Sequence, residues 1–270
     1  MNYLVDVIII GDSAVGHELL DTLAASKPNV KFAFISQAFK KTTTHDYVNV
    51  KYFKREVVYT SFRNRLFSCY FENKDCVFGT HLIVASGVNY EPFMVDGEVI
   101  PGVFNTTADI VSKLSKEQPA IVIYNNAADA KFALEVASKY KQVYLCSDKV
   151  DITNDLTKTV AKKLTDTENI AVLPNTHIKK AISENGVLQK VELDNYSIIN
   201  CSAIFVKTNT TPAIDFIPKK LIPRDEQGYL AVTGNAESSL VPKCFAVGNC
   251  IQKYTKTMGQ KLVETILKDF

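Results

Sequence analysis

Gly11, Ser13 and Gly16, in the run Val7-Ile8-Ile9-Ile10-Gly11-Asp12-Ser13-Ala14-Val15-Gly16, are the residues of this chain whose types and spacing best suit a chemical task. The task is to hold a pyrophosphate. Between a buried strand and a helix, the first glycine makes the tight turn and the third position lies where backbone must approach the phosphates. The last glycine lets the helix pack against the strand. Free N–H groups at the helix start, with the positive end of its dipole, complete an anion seat. Ser13 stands where this pattern has its second glycine, between Asp12 and Ala14. An ordinary strand-turn-helix without a ligand uses the same residue types, and that alternative stays open here. A hydrolase nucleophile at Ser13 ranks far below, because Val15 breaks the Gly-x-Ser-x-Gly pattern.

The elements needed to position this turn follow in order. Val15, Leu19, Leu20 and Leu23 give the segment after it one apolar face, as an amphipathic helix requires. Val30 to Ile35 reads as the next strand, and Ser36 then occupies the place where a carboxylate normally holds a ribose hydroxyl pair. Runs at Arg65–Phe71 and Cys76–Ala85 flank Asn73-Lys74-Asp75 and predict a hairpin, with the second run closing in Ala85-Ser86-Gly87. A second cycle repeats the order. Its strand is Ala120–Ile123, its turn Tyr124–Asn126, its helix Ala127–Tyr140 and its next strand Gln142–Cys146. A helix at Asn154–Leu164, a strand at Ile170–Leu173 and a hairpin-like region at Val187–Val206, turning at Asp194-Asn195, complete it. The near-constant spacing of matching landmarks predicts two related halves. A returning strand within Leu240–Asn249 and a helix from about Lys261 end the chain.

Composition narrows the classes. With 270 residues, 46% of them hydrophobic, the chain can bury a sizeable core in one large or two modest domains. The net charge is only +2 and the basic residues are scattered, which argues against a nucleic-acid surface. No apolar run is long enough to span a bilayer and no leader pattern opens the chain, so the expectation is a cytoplasmic protein with no membrane partner. The six cysteines (69, 76, 146, 201, 244 and 250) lie in separate segments with no Cys-x-x-Cys, which suits buried thiols. Four scattered histidines (17, 45, 81 and 177) form no metal-ligand spacing.

The first turn, the strand closing in Ala85-Ser86-Gly87 and the late Phe245-Ala246-Val247-Gly248-Asn249, in this order, resemble the flavin-dependent disulfide oxidoreductases. The compact length resembles their thioredoxin reductase branch. The resemblance implies an α/β protein with two Rossmann-like dinucleotide-binding domains, each a parallel sheet with helices on both sides and a β-meander crossover. One, at 1–103 and 213–270, is of the FAD-binding type; the other, at 104–212, is a degenerate NAD(P)-binding type. It further implies that Gly11, Asp12, Ser13, Ala14, Gly16, Ser36, Ser86, Gly87, Gly248 and Asn249 bind FAD. Gly248 and Asn249 match the family's late Gly-Asp, whose side chain holds the ribitol, and Ser86-Gly87 matches its Thr-Gly. A plain turn role for Asn249 and a plain strand end at Ser86 remain open.

The chain departs from the family elsewhere. Tyr124 and Asn126 stand where the NADPH turn has glycines, Asp129 stands where a small residue belongs, and Asp148 falls in the segment Ser147-Asp148-Lys149 where basic residues would hold a ribose phosphate. Asn209-Thr210-Thr211-Pro212 lacks the glycine of the family's Gly-x-x-Pro. Phe104–Asp109 replaces the redox Cys-x-x-Cys, and a redox role for Cys250 is the minority reading against a buried thiol. The expected function is a diverged FAD-dependent oxidoreductase without dithiol chemistry, reduced by a protein or small-molecule donor that the residues do not identify. The alternative is a non-catalytic binding or regulatory protein on the same fold, with a homodimer admissible in either case. A protein that binds one adenine nucleotide without redox work is the third reading.

Overall fold

The computed structural model describes residues 2–37, 47–96, 98–100, 102–105 and 117–270. Contacts divide the chain into two compact units, 1–89 with 210–270, and 90–209. The resemblance puts the boundaries at 103/104 and 212/213; by contacts, the described residues between 90 and 103 group with the second unit. Of the Phe104–Asp109 segment, residues 106–109 lie outside the described residues.

In the first unit, strands β1 (Asn2–Leu4) and β2 (Val7–Ile10) lead into helix α1 (Ala14–Ser26). β3 (Phe32–Ser36), β4 (Val50–Lys54), β5 (Val57–Arg63), β6 (Leu66–Phe71), β7 (Cys76–Gly79), β8 (His81–Val84) and β9 (Val88–Tyr90) follow. The second unit holds the hairpin of β10 (Met94–Val95) and β11 (Glu98–Val99), then β12 (Val103–Asn105), β13 (Ala120–Tyr124), α2 (Ala127–Ala137), β14 (Val143–Ser147), α3 (Lys158–Asp166) and β15 (Ile170–Leu173). It continues through β16 (Ile178–Glu184), β17 (Val187–Leu193), β18 (Ile198–Asn200) and β19 (Ala203–Val206). The chain re-enters the first unit at β20 (Thr210–Pro212), which pairs with β9, and ends in β21 (Cys244–Ala246) and α4 (Lys256–Asp269).

The first unit is built on a five-stranded parallel sheet in the order β21-β8-β2-β3-β4, and the second on one in the order β12-β19-β13-β14-β15. Four strands match in order and connection (β8-β2-β3-β4 and β19-β13-β14-β15), while the fifth comes last in the first unit, as β21, and first in the second, as β12. Strand alternation divides each sheet into two cores. Val7, Ile9, Phe32, Phe34, Ile83 and Phe245 pack on the α1 and α4 side, while Ile8, Ile10, Ala33, Ile35, Leu82 and Val84 face the meander residues Phe67, Cys69 and Val77. In the second unit Val122, Leu145 and Phe205 meet Ala130, Ala133 and Val136 of α2, whereas Ile121, Cys146 and Ile204 meet Leu188, Val191 and Leu193.

The duplication reaches single side chains. Asn49, just before β4, donates its amide to the carbonyls of Lys27 (3.1 Å) and Val30 (3.0 Å) beyond the end of α1. Asn169, just before β15, does the same for Ala137 (2.8 Å) and Tyr140 (2.9 Å) at the end of α2. Helix termini leave such carbonyls without intrahelical donors. Several element expectations change. The run Cys76–Ala85 is two strands, because at Thr80 the chain leaves the meander for the parallel sheet, its N–H and that of His81 both donating to the Asp6 carbonyl. The second helix stops at Ala137, and the third begins at Lys158 behind the cap Thr157, after a short 3₁₀ turn at Thr153–Asp155. The last helix starts at Lys256, with Thr255 accepting from the Met258 N–H.

Candidate functional site

The carboxyl ends of β2, β3 and β8 converge at the first turn. Gly11 has φ +104°, and a Cβ built there would lie 2.4 Å from the Ala85 carbonyl oxygen, so the turn is pressed against the end of β8 and only glycine fits. Its N–H donates to the Ile35 carbonyl at 2.8 Å, tying the turn to β3 as well. Ser13 is the N-cap of α1, its hydroxyl accepting from the Gly16 N–H at 3.2 Å. Gly16 is buried, and a Cβ on it would stand 2.7 Å from the Gly11 carbonyl oxygen, which accounts for the third position of the pattern. Ser13 caps α1 with a neutral group, and the N–H groups of Ala14 and Val15 have no acceptor within the helix. The positive end of α1 is therefore left for an anion.

A cleft of about 480 Å³ opens beside this turn. Of the expected binding residues, Gly11, Asp12, Ser36 and Ser86 line it. The Ser86 hydroxyl is buried and has no hydrogen-bond partner among the described residues. Ser13, Ala14 and Gly16 form the helix start next to it, with Ala14 exposed. Gly248 has φ +74° and lies over α1, its built Cβ 3.8 Å from Val15 and 3.9 Å from the Ser13 hydroxyl. Asn249 is exposed on the 3₁₀ turn Gly248–Cys250, and Gly87 follows Ser86 at φ +71°.

Arg55, Glu56, Val57, Val58, Asn89, Ala213, Asp215 and Phe216 also line the cleft, and the sequence pattern gives no sign of them. Their placement is tertiary. The loop carrying Ala213–Phe216 is fixed by the half-buried Arg224, whose guanidinium donates to the carbonyls of Ile214 (3.2 Å), Ile217 (2.6 Å) and Ile222 (3.0 Å). Thr60 donates to the Phe216 carbonyl at 2.9 Å. Charge in the cleft is uneven: Asp12, Glu56 and Asp215 are acidic, and Arg55 is bound at 2.5 Å to Asp75. Carboxylates suit hydroxyl groups as acceptors; phosphate is served by the helix start.

The equivalent turn of the second unit is built differently. Tyr124 is buried at the end of β13 and its hydroxyl donates to Asp155 at 3.3 Å; burial, with Asp155 nearby, pushes its pKa up to about 12. Asp129 is buried, and its Oδ2 accepts from the N–H groups of Asn125 and Asn126 at 2.9 Å each. Asn126 in turn accepts from the Ala128 N–H at 2.9 Å. Lys149, just past β14, pairs with Asp155.

All six thiols are free and buried. Burial pushes Cys146 and Cys201 up to about 12 and Cys76 and Cys250 up to about 11. Cys250 donates to the Val247 carbonyl at 3.0 Å. A protonated, enclosed thiol is a poor nucleophile, so the minority redox reading of Cys250 gives way to a structural one. Among the described residues no helix is long and apolar enough to cross a membrane, and no group of His, Cys, Asp or Glu could hold a metal ion.

Comparison with known proteins agrees with this layout. The sequence profile of the pyridine nucleotide-disulphide oxidoreductases matches residues 11–265. Thioredoxin reductase from T. acidophilum superposes with a TM-score of 0.70 at 16% identity, over 98% of each chain. That from Lactococcus lactis gives 0.68 at 16% identity over 98% of each chain, and that from Streptococcus pyogenes 0.66 at 16% over 100% of each. No curated protein matches the chain in sequence. At such identity the superpositions speak for the fold, and the profile, spanning nearly the whole length, speaks for descent: the chain belongs to the pyridine nucleotide-disulphide oxidoreductase family.

Proposed function

We propose that this protein is an FAD-binding oxidoreductase whose first unit holds the cofactor at the α1 turn and which works without a thiol pair. The observation that carries the reading is the start of α1: a neutral cap at Ser13, packed glycines at 11 and 16, and the open cleft beside them. The residues present fit the group. The N–H groups of Ala14 and Val15 would take the pyrophosphate, and Gly248 would bring backbone close to it. Asp12 and Glu56 would accept from ribose hydroxyls, replacing the carboxylate that Ser36 lacks, and the orphaned Ser86 hydroxyl would gain a partner. Bound flavin supplies hydride or one-electron chemistry, and the chain orients it and limits water around it. The donor is a protein or a small molecule. Ordinary docking of NADPH in the second unit finds no support in Tyr124, Asn126, Asp129 and Asp148, which replace glycines, a small residue and basic groups.

Ser13→Asp separates this reading from a bare structural turn. Aspartate caps a helix as well as serine, so the unfolding midpoint should hold within experimental error. The added charge opposes pyrophosphate, and the FAD dissociation constant should rise about tenfold or more, equal to some 1.4 kcal/mol or above. Unchanged FAD affinity in Ser13→Asp, or no FAD binding by the parent chain, contradicts the proposal. Flavin-free parent protein with intact fold would favour the non-catalytic alternative.

A further inference from the structure

We infer that Asp129 is a built-in anion that shuts the dinucleotide seat of the second unit. This deepens the reading above, by saying what fills the seat. At the first unit's turn the helix start is capped by the Ser13 hydroxyl, which accepts from the Gly16 N–H. At the matching turn of the second unit, the Asp129 carboxylate closes a capping box from inside the turn, accepting from the Asn125 and Asn126 N–H groups at 2.9 Å each, with 2% of its surface exposed. Four strands of each sheet correspond and the two helices follow matching strands, so the difference at this place lies in the residues of the turn.

Three further features close the seat. Asn126 uses its side-chain oxygen on the Ala128 N–H, removing another donor from the helix start. Tyr124 fills the end of β13 with a buried ring whose hydroxyl is committed to Asp155. Lys149, in the segment where a cation would meet a ribose phosphate, is committed to the same Asp155. A pyrophosphate entering here must displace one buried carboxylate and remain beside it, like charge against like charge. The adjoining cleft of about 550 Å³, lined by Phe93, Asn125, Asn126, Lys207 and Asn209, thus opens beside a helix start whose Asn125, Asn126 and Ala128 N–H groups are already taken. Removing the Asp129 carboxylate frees the Asn125 and Asn126 N–H groups at a helix start and should turn the seat back into an anion site.

The test is a titration of the ¹⁵N-labelled full chain, reading the backbone amide signals of Asn125 and Asn126. In the parent protein, millimolar NADPH and inorganic pyrophosphate should each leave both signals without a saturable shift. In Asp129→Ala, pyrophosphate should shift both saturably, with an affinity at least about tenfold above the parent's, and chloride at equal ionic strength should not. Asp129→Asn keeps the side-chain shape and drops the charge, so it serves where the alanine variant does not fold and should respond in the same direction. A saturable shift by NADPH or pyrophosphate in the parent, or silence in every folded variant, overturns the inference. The readout does not depend on flavin: colourless protein showing the expected shifts would sink the FAD reading and leave this one standing.

Discussion

Gly11 and Gly87 both have positive φ, yet alanine should affect them very differently. At Gly11 a Cβ would collide with the Ala85 backbone at 2.4 Å, and the strand end cannot yield. At Gly87 nothing lies within 4 Å, so only the backbone preference is lost. Gly87→Ala should cost about 1–2 kcal/mol and Gly11→Ala clearly more, as urea unfolding will show. Gly11 was readable as a turn glycine; that it also answers to the chain's own β8 was not, because a ligand turn and a tight strand contact select the same residue. The cysteines give a second prediction at this scale. With every thiol buried and raised in pKa or enclosed, the native protein should react with none of its six cysteines on the timescale of a small aromatic disulfide reagent, and with all six after unfolding. Rapid native labelling of Cys250 would revive a redox role for it.

At the scale of elements, Asn49 and Asn169 show how each helix end is tied to the next strand. Replacing either by alanine removes two donors from part-buried carbonyls and should cost about 1–3 kcal/mol. Aspartate, which cannot donate, should be no better, and the same urea measurement checks both. The C-terminal helix has a different anchor. His81 Nε2 lies 2.9 Å from Asp269, Lys243 lies 3.0 Å from the same carboxylate, and Phe270 packs on the imidazole. Burial, outweighing the Asp269 hydrogen bond, lowers the His81 pKa from 6.5. Its contribution to stability is therefore complete above the unfolded value, near 6.5, and is lost as pH falls through the lower folded value. Asp269, lowered by its hydrogen bonds from His81 and Lys243, adds a further loss as pH falls below the ordinary carboxylate range. The unfolding midpoint should decline from pH about 7 to 5, and His81→Asn should flatten that slope. An equal slope in the variant would remove His81 as its source. Strands with clean apolar runs, such as β2, β13 and β15, were legible in the sequence. β16 was not: Ile178-Lys179-Lys180-Ala181-Ile182-Ser183-Glu184 is out of alternation because its pairing with β17 shifts register twice.

On the scale of the whole molecule, the duplicated pattern of the sequence became two sheets with four strands in the same order, and the order of landmarks along the chain was enough to find it. The limits of the units were less visible, since what assigns 90–103 to the second unit is contact rather than composition. The same holds for half of the first cleft. Ala213–Phe216 reach it only because Arg224 gathers three carbonyls of one loop, so Arg224→Lys, which lacks the guanidinium fork, should loosen FAD while leaving the sheets intact. The two halves differ where it matters, with a hydroxyl cap on the first helix and a carboxylate lodged at the second. The most direct measurement of the central claim is the visible absorption of the full chain purified without added flavin, followed by titration with FAD. The account predicts flavin bands in the isolated protein, or their appearance with saturable uptake of FAD at one site per chain. Folded protein that is colourless and takes up no FAD contradicts it.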